Sequence, residues 1–239
     1  MKAIVQHRYG TADQLAFADV PKPQPGPREV RVRVRATSLN ASDIEMMTGS
    51  PAYIRMWGLF RPAQQIPGSD FAGTIETLGE GVTQFAIGDA VYGDVLGQSG
   101  GLADYVCAPV DVLSRKPEHL SFVDAASLPQ AGGVARQGLA FGGGMKPGQR
   151  VLINGAGGGA GSFAIQFAKL QGLHVTGVDT GEKLKTMMAF GADEVVDFGK
   201  DDFTKSGAGY DLILDLVAHR ALSDHLSALA PGGRYALVG

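Results

Sequence analysis

The sequence predicts an α/β protein made of a β-rich N-terminal part and a doubly wound parallel sheet. Up to about residue 118, short runs that alternate apolar and polar residues are broken by Gly and Pro, as in antiparallel sheets. From residue 119 to residue 239, apolar strand-like runs alternate with helical segments, which is typical of a parallel sheet with crossover helices. A glycine-rich turn, GAGGGAG at 155–161, joins a strand to a helix in this second part. Two domains, 1–118 and 119–239, are therefore expected.

Five strands are predicted in the N-terminal part, and EVRVRVRAT shows the pattern most clearly. Its three valines would face the core, while Arg31, Arg33 and Arg35 would face the opposite side of a half-buried antiparallel strand. We interpret the arginines as a solvated strand face rather than a phosphate-binding patch, because the chain as a whole is acidic. The strands are Lys2–Gln6, Glu29–Thr37, Phe71–Leu78, Asp89–Tyr92 and Ala103–Val106.

Five further strands, with helices between them, are predicted in the C-terminal part. A mostly apolar, mostly buried helix that includes Leu170 follows the glycine turn, and a second helix spans Glu182–Phe190. A third helix would place Leu222, Leu226 and Leu229 on one face. The strands are 151–153, Leu173–Val178, 193–198, Tyr210–Val217 and 230–239.

The stretch Val151–Leu170 admits two interpretations, a membrane span or a strand that turns into a helix. Its length suits a bilayer, but polar residues are spread through it and its glycines are bunched at one end, which favours strand, turn and helix. A Rossmann turn needs glycine for a tight bend, for close approach of the backbone to a pyrophosphate and for helix–strand packing. The pattern fits in two registers, Gly155-x-Gly157-x-x-Ala160 and Ala156-x-Gly158-x-x-Gly161.

Asp179 favours a dinucleotide-binding turn over a merely structural one. It ends the second predicted strand, about 20 residues after the turn, where a carboxylate accepts a hydrogen bond from the adenosine ribose. Asp179 argues for NAD, because a carboxylate repels a 2′-phosphate. Lys183 argues for NADP, because its ammonium would neutralise that phosphate, unless it is a solvated lysine at a helix start. The cofactor preference therefore stays open at this point.

Composition excludes several classes of partner. With 44% hydrophobic and 19% charged residues, a chain of 239 residues is expected to be globular with an ample core. A net charge of -3 offers no electrostatic footprint for nucleic acid or anionic lipid, so neither nucleic acid nor membrane is an expected partner. The start MKAIVQHRYG lacks an apolar signal segment and Cys107 is the single cysteine, which predicts a cytoplasmic protein without internal disulfides.

Seven short motifs follow one another along the chain. They are MKAIV, SLNASD, PGSDFAG, LADYV, VLINGAGGGAG, GADEVVDF and LAPGGRY. In this order they resemble the medium-chain dehydrogenases/reductases, and within them the zinc-independent, quinone oxidoreductase-like branch. The resemblance implies a GroES-like β-barrel domain followed by a Rossmann domain. It also implies hydride transfer to a small-molecule substrate, namely a quinone, an enone or a related carbonyl, with NADPH as cofactor and NADH as the other choice.

The same resemblance addresses metal binding residue by residue. In the zinc enzymes of this family, a Cys ligand stands at the position of Asn40 and a His ligand at the position of Ser69. Asn and Ser are not usual zinc ligands, and a single cysteine cannot build the family's four-cysteine structural lobe. No metal is therefore expected. The histidines have no ligand spacing and are interpreted as surface or half-buried residues; they are His7, His119, His174, His219 and His225.

Asn40 and Asp43 match family positions that line the active-site cleft, and they are the candidate catalytic residues. Asn40 is expected either to donate a hydrogen bond to a substrate oxygen as negative charge develops, or to form an Asx turn in the loop. Asp43 is expected to tie the loop down, because a carboxylate beside an enolate opposes the reaction.

Several positions depart from the family pattern. Quinone reductases often carry Tyr and Arg where this chain has Glu45 and Met47. Val134 stands where the family has a nicotinamide-side Thr, and Phe198 stands where many NADPH-dependent members have Tyr. Both substitutions remove a hydroxyl that could bind the cofactor, so they bear on the choice of substrate and cofactor rather than on the fold.

The C-terminal part is expected to be incomplete, because family chains continue beyond LVG with a last Rossmann strand and a segment that completes the barrel. A partner subunit in a homodimer, or a further segment, would then cover apolar surface and sheet edges. Backbone groups of Val217 and Gly239 are expected near the nicotinamide. The candidate cofactor-binding residues are Val134, Gly155, Gly158, Gly159, Ala160, Gly161, Asp179, Lys183, Phe198, Val217 and Gly239.

Three functions compete on this evidence. The favoured one is an NAD(P)H-dependent oxidoreductase that transfers hydride to a quinone, an enone or a related carbonyl without zinc. A non-catalytic dinucleotide-binding protein is the second, and the departures at Glu45, Met47 and Val134 favour it. A zinc-free alcohol dehydrogenase is the third, and it lacks a Lewis acid or a positioned Tyr.

Overall fold

The computed structural model describes residues 1–205, 207 and 209–238, with Trp57 described by its backbone alone. The chain divides into two compact units, residues 1–130 and 131–239, which are described in turn. The domain boundary at 118 expected from the sequence stays a prediction.

The first unit contains seven strands and two short helices. The elements are β1 (Lys2–Gln6), β2 (Leu15–Asp19), β3 (Glu29–Ser38), α1 (Ala41–Thr48), β4 (Asp70–Leu78), β5 (Ala90–Asp94), β6 (Tyr105–Pro109), β7 (Leu113–Arg115) and α2 (Phe122–Ala126). Short 3-10 helices span Ala12–Gln14, Ala52–Trp57 and Val110–Val112. A two-stranded antiparallel sheet pairs β1 with β2, and a five-stranded antiparallel sheet has the order β6-β3-β4-β5-β7.

Strand β3 has the two faces that its alternating sequence predicts. Val30 and Val32 are fully buried in the core of this unit, together with Phe71 and Ile75 of β4. The interpretation of the arginines as a solvated face is wrong for Arg31. Its guanidinium donates to Glu76 at 2.8 Å and its side chain is only 11% exposed, because the neighbouring strand supplies a carboxylate partner.

Helix α3 (Pro129–Ala140) contains the division between the units, and the second unit is a doubly wound sheet, as predicted. Its elements are β8 (Arg150–Asn154), α4 (Gly159–Leu170), β9 (His174–Asp179), α5 (Leu184–Ala189), β10 (Glu194–Asp197), β11 (Tyr210–Asp215), α6 (Leu222–Ser227) and β12 (Leu229–Leu237). Short 3-10 helices span Gly181–Lys183 and Phe203–Lys205. The five described strands are all parallel, in the order β10-β9-β8-β11-β12.

This strand order indicates at which edge of the sheet a ligand would bind in the second unit. The chain winds outward from β8 through β9 and β10 on one side, and through β11 and β12 on the other. Neighbouring strands β8 and β11 are therefore connected in opposite directions, which makes a topological switch point. In open parallel sheets, ligands bind at the carboxyl ends of the strands that flank such a point. Here those ends are Asn154 and Asp215, which are register partners.

Two predictions about helix faces are wrong. Helix α6 ends at Ser227, before Leu229. Its residues Leu222 and Leu226 are about half exposed, and its buried residue is His225, for which a surface or half-buried position was predicted. The helix has only six residues, and its inner face holds an imidazole against a buried carboxylate instead of a leucine stripe. At the end of α4, Leu170 is 85% exposed, although the rest of the helix packs on the sheet.

The stretch Val151–Leu170 forms most of strand β8, the glycine turn and helix α4, as the bunched glycines predict. Among the residues that the structure describes, no helix combines the length and the apolar character that crossing a membrane requires.

Candidate functional site

The glycine turn between β8 and α4 is tied to the end of the neighbouring strand β9. The backbone N–H groups of Gly155 and Ala156 both donate to the carbonyl of Val178, at 2.9 and 3.1 Å. Gly155 adopts a positive φ of 85°, and Gly158 is the N-cap of α4. The turn is therefore held by backbone hydrogen bonds and starts with a residue whose conformation favours glycine.

Close packing explains why the last position of the turn is glycine. A Cβ atom on Gly161 would lie 2.3 Å from the carbonyl oxygen of Gly155 and 2.5 Å from Cα of Ala156. In contrast, a Cβ on Gly159 would meet only Cβ of Ala131, at 3.9 Å. The register Ala156-x-Gly158-x-x-Gly161 thus places its last glycine where the helix packs directly against the backbone of the turn.

The start of α4 presents unsatisfied hydrogen-bond donors. Within the described part of the chain, the backbone N–H groups of Gly159, Ala160 and Gly161 have no acceptor. These donors stand at the N-terminus of a 12-residue helix, where the helix dipole favours negative charge. Free N–H groups and the dipole together make an anion-binding site that suits a pyrophosphate.

Asp179 and Lys183 lie together against this turn. The Asp179 carboxylate accepts from the Gly157 N–H at 2.9 Å and from the Thr180 N–H at 2.8 Å. Lys183 Nζ lies 3.0 Å from the same carboxylate, and its side chain is 44% exposed against 8% for Asp179. The lysine is therefore the member of the pair that faces solvent.

Glycine at 157 makes room for this ion pair. A Cβ there would lie 2.6 Å from Cδ of Lys183 and 3.0 Å from the Asp179 carboxylate. The sequence-predicted residues Gly157, Asp179 and Lys183 are thus brought together in one place.

The remaining cofactor-binding candidates lie at other points of the second unit. Phe198 follows β10, donates its backbone N–H to the carbonyl of Asp179 at 3.2 Å and leaves its ring half exposed. Val134 is half-buried in α3, and Val217 is 36% exposed just after β11. Gly239 lies outside the described residues.

A buried polar network, which was not among the sequence predictions, surrounds Asp215 at the end of β11. One carboxylate oxygen accepts from Asn154 Nδ2 at 2.8 Å and from the Val217 N–H at 3.0 Å. The other accepts from the Tyr235 hydroxyl at 2.7 Å. Burial opposes the charge, but these donors outweigh it and lower the pKa of Asp215. The network shapes the turn that contains Val217.

The sequence does contain one signal for this network, because two of its polar residues come at or near the ends of predicted strands. Asn154 and Asp215 are the last residues of adjacent parallel strands, so the sheet brings them into contact. His225 lies beside the network: its Nε2 is 3.4 Å from the Asp215 carboxylate without forming a hydrogen bond, and its Nδ1 lies 3.2 Å from the carbonyl of Ala221.

In the first unit, the loop before α1 and the start of β4 form a second polar cluster. Asn40 is the N-cap of α1, and its backbone N–H donates to the Asp43 carboxylate at 2.7 Å. Its side-chain Nδ2 donates to Asp70 at 3.1 Å and lies 3.4 Å from the Ser69 hydroxyl. Ser69 donates to Asp43 at 3.3 Å. The structure thus brings together Asn40, Asp43 and Ser69, which were considered in the sequence, and Asp70, which was not.

Two carboxyl groups of this cluster are buried at a cost. Burial raises the pKa of Asp70 to about 7 and also raises the pKa of Asp43. The nearby Asp94 carboxylate acts in the same direction on both groups. Asp70 is 0% exposed and would be missed by a search for exposed polar residues, although it follows Ser69 directly in the PGSD motif.

The donor set of this cluster does not suit zinc. Amide and hydroxyl groups occupy the positions of Asn40 and Ser69, and each is engaged in hydrogen bonds to a carboxylate. Over the residues that the structure describes, no group of three or more His, Cys, Asp or Glu side chains is arranged to hold a metal ion.

Two family models match the chain. The alcohol dehydrogenase GroES-like domain matches residues 26–118, and the zinc-binding dehydrogenase model matches residues 159–239. A chloroplast envelope quinone oxidoreductase homolog from Arabidopsis thaliana is 35% identical, over 90% of this chain and 67% of that protein. A 2-methylene-furan-3-one reductase from Solanum lycopersicum is 32% identical, over 91% of this chain and 57% of that protein. The chain therefore spans about three fifths to two thirds of the length of these relatives.

Solved structures show the same likeness. A quinone oxidoreductase from Coxiella burnetii superposes with a TM-score of 0.91 at 32% identity, over 98% of this chain and 74% of that one. A mycobacterial protein solved in complex with NADPH superposes with a TM-score of 0.84 at 28% identity, over 99% of this chain and 73% of that one.

Proposed function

The chain belongs to the medium-chain dehydrogenase/reductase family, and from this premise we propose that it transfers hydride from NAD(P)H to a quinone, an enone or a related carbonyl without zinc. The observation that carries the proposal is the glycine turn, where three free N–H groups at the start of α4 lie beside the Asp179–Lys183 pair. This arrangement fits a dinucleotide better than any other ligand class, because it supplies both a pyrophosphate site and a neighbouring adenosine site.

The residues at the turn fit the cofactor in specific roles. The free N–H groups of Gly159, Ala160 and Gly161 would hold the pyrophosphate, with Gly155 and Gly158 shaping the turn that presents them, and Lys183 with Asp179 would hold the adenosine ribose. Phe198 offers a half-exposed ring to the adenine side, and Val134, Val217 and Gly239 are proposed for the nicotinamide side. When bound, the nicotinamide supplies the hydride; the protein supplies position and charge stabilisation.

Asn40 is proposed as the group that stabilises developing charge on the acceptor. Hydride addition to the β-carbon of an enone moves an electron pair onto the carbonyl oxygen, and an N–H of the Asn40 amide would donate to that oxygen. A solvent proton then completes the reduction at the α-carbon. Asp43 holds Asn40 by its backbone and takes no proton in this scheme. The acceptor class is suggested by the relatives, which include a quinone oxidoreductase and a 2-methylene-furan-3-one reductase.

NADPH is proposed as the preferred cofactor. The Asp179 carboxylate is already engaged by two backbone N–H groups and a lysine, and it is nearly buried. Lys183 is the exposed member of the pair, so a 2′-phosphate would meet an ammonium before it meets the carboxylate. The related structure that contains NADPH supports the same choice.

Two further proposals concern assembly and location. We propose a homodimer, because β12 is an edge of the sheet and Leu237 on it is half exposed, and light scattering would test it. A cytoplasmic location rests on the single, partly buried Cys107 and would be tested by fractionation.

The test is a side-by-side titration with NADPH and NADH, followed by nicotinamide fluorescence, and then turnover with a quinone and an enone. We expect saturable binding, tighter for NADPH, and oxidation of NADPH that survives treatment with a metal chelator. Binding without turnover on either acceptor class would instead identify a non-catalytic dinucleotide-binding protein. Loss of turnover after chelation would contradict the zinc-free chemistry.

A further inference from the structure

We propose that Asp70 is a positioning residue that sets the orientation of the Asn40 amide, and through it the donor offered to the acceptor oxygen. This inference rests on the proposed function of Asn40. Asp70 does not touch the substrate in this scheme; it acts through the amide. Four observations on the side chains around Asp70 carry the argument.

The first observation is that Asp70 is rigidly held. It is the first residue of β4, it is 0% exposed, and its own carbonyl accepts from the Thr37 hydroxyl at 2.6 Å. Its carboxylate accepts from the backbone N–H of Gln130 at 3.2 Å to each oxygen, and the Ser38 hydroxyl lies 3.4 Å away. A group held from the backbone and from both carboxylate oxygens can fix a neighbour.

The second observation is the direction of the contact with Asn40. Both Asp70 oxygens accept from the Gln130 N–H, and Oδ2 also accepts from Asn40 Nδ2 at 3.1 Å, so the NH₂ end of the amide faces the carboxyl group. The Asp43 carboxylate holds the backbone N–H of the same residue at 2.7 Å. Two carboxylates therefore fix Asn40, one by its backbone and one by its side chain.

The third observation is what remains free on the amide. The Nδ2 group has two hydrogens, and one points to Asp70. The contact of Nδ2 with the Ser69 hydroxyl is 3.4 Å, which is longer than a well-formed N–H···O bond. The second hydrogen therefore keeps most of its capacity to donate, and its direction is set by the bond to Asp70.

The fourth observation is that a carboxyl group at this place is costly. Burial raises the pKa of Asp70 to about 7, and the Asp94 carboxylate acts in the same direction. Costly buried carboxyl groups are concentrated at functional sites. Capping the first turn of α3 through Gln130 is a purely structural role for the same group, and the experiment must separate the two.

A double-mutant cycle on kcat/KM separates them. Asn40→Ala is expected to lower kcat/KM for a quinone or an enone by about 100-fold, as for loss of an oxyanion donor. Asp70→Asn removes the carboxyl group and lets the Asn40 side-chain amide flip by about 180°. It should therefore lower kcat/KM by about tenfold in the wild-type background and by less than twofold in the Asn40→Ala background. Equal losses in both backgrounds would show a purely structural role and overturn the inference.

Ser38→Ala is the matched control, because it removes another contact of the Asp70 carboxylate without touching Asn40. It should leave kcat/KM within twofold, and a loss as large as that of Asp70→Asn would contradict the inference. NADPH affinity should be unchanged in every variant. If wild-type protein binds NADPH and Asn40→Ala does not change turnover, both the role of Asn40 and this inference fail.

A second readout needs no turnover, so it stays valid if the proposed function fails. The side-chain amide of Asn40 can be assigned by NMR from the signal that disappears in Asn40→Ala. In wild-type protein we expect its two protons to be well separated, with one shifted downfield by the carboxylate. Asp70→Asn should shift that proton upfield and Ser38→Ala should not; an unchanged signal in Asp70→Asn would overturn the inference.

Discussion

Gly161 provides the sharpest test of the dinucleotide site, because one methyl group there should damage both packing and binding. A Cβ on Gly161 would lie 2.3 Å from the carbonyl oxygen of Gly155, about 1 Å inside ordinary contact, and 2.5 Å from Cα of Ala156. Both opposing atoms belong to the backbone, so no side chain can rotate away. The start of α4 must therefore move by about 1 Å away from the turn.

The expected cost of Gly161→Ala follows from this overlap. Overpacking a tight interior costs about 1–3 kcal/mol, and a backbone overlap of this size belongs near the upper end. Alanine recovers about 0.8–1 kcal/mol through its better helix propensity, which leaves a net loss of about 2 kcal/mol. For a chain of this size that corresponds to a melting temperature lower by about 4–8 °C. Moving the N–H donors by about 1 Å should weaken NADPH binding by about 100-fold.

Gly159→Ala is the control for the stability part. It adds the same methyl group two residues earlier in the same helix, and there the nearest atom is 3.9 Å away. Neither glycine has a positive φ, so backbone strain does not distinguish them. The assay is thermal unfolding of both variants, with fluorescence titration of NADPH on Gly161→Ala. Equal melting temperatures for the two variants, or wild-type affinity in Gly161→Ala, would refute the packing argument.

Three other predictions follow from the same structure. Lys183→Ala should weaken NADPH binding at least tenfold and leave NADH binding within threefold, measured by paired titrations; equal losses for both cofactors would contradict the proposed phosphate contact. The pKa of Asp70, about 7 when folded against about 3.9 unfolded, means that its stabilising contribution is complete below about pH 4 and is lost as the pH rises through 7. Wild-type protein should therefore lose up to about 4 kcal/mol of unfolding free energy between pH 4 and 8 from this group, and denaturant titrations of Asp70→Asn should lack that component. His225→Ala should lower the unfolding free energy by about 3 kcal/mol because it empties a buried site beside a carboxylate, whereas Leu226→Ala, on an exposed position of the same helix, should change it by less than about 0.5 kcal/mol in the same titration.

The fold was predictable because its signals are local and repeated. The alternating valines of β3 and the strand–turn–helix pattern at 151–170 each depend on neighbours within a few residues, and the structure confirms both. The face of α6 was not predictable in the same way. Its leucine spacing fits a helix longer than the six residues that form, and the residue that faces inward is His225, 3.4 Å from a buried carboxylate on β11. That carboxylate is distant in sequence, so no local pattern contains it.

The residues of the candidate site likewise fall into those that could be predicted from the sequence and those that could not. The glycine positions could be selected from sequence, since their roles depend on the turn that contains them, and Asn40 could be selected by its match to a family position. Asp70 could not, because its role depends on the approach of β4 to the loop at Asn40 and on burial, and neither is encoded in the residues next to it. Buried polar partners of this kind are the part of a site that requires coordinates.

The Asp179–Lys183 pair is a case in which the structure changes the inference drawn from the residue types alone. In the sequence the two residues oppose each other, one favouring NAD and the other NADP, and their types alone give no preference. In the structure they are partners with very different exposure, 8% for the carboxylate and 44% for the lysine. The carboxylate accepts hydrogen bonds from two backbone N–H groups of its own unit, and so it stabilises the shape of the turn. In the proposed complex the lysine would meet the incoming ribose, and a cation at that point would gain more from a 2′-phosphate than from a hydroxyl. The proposal thus gives the acidic residue that usually indicates NAD a different part, as the support of a lysine that would favour NADPH.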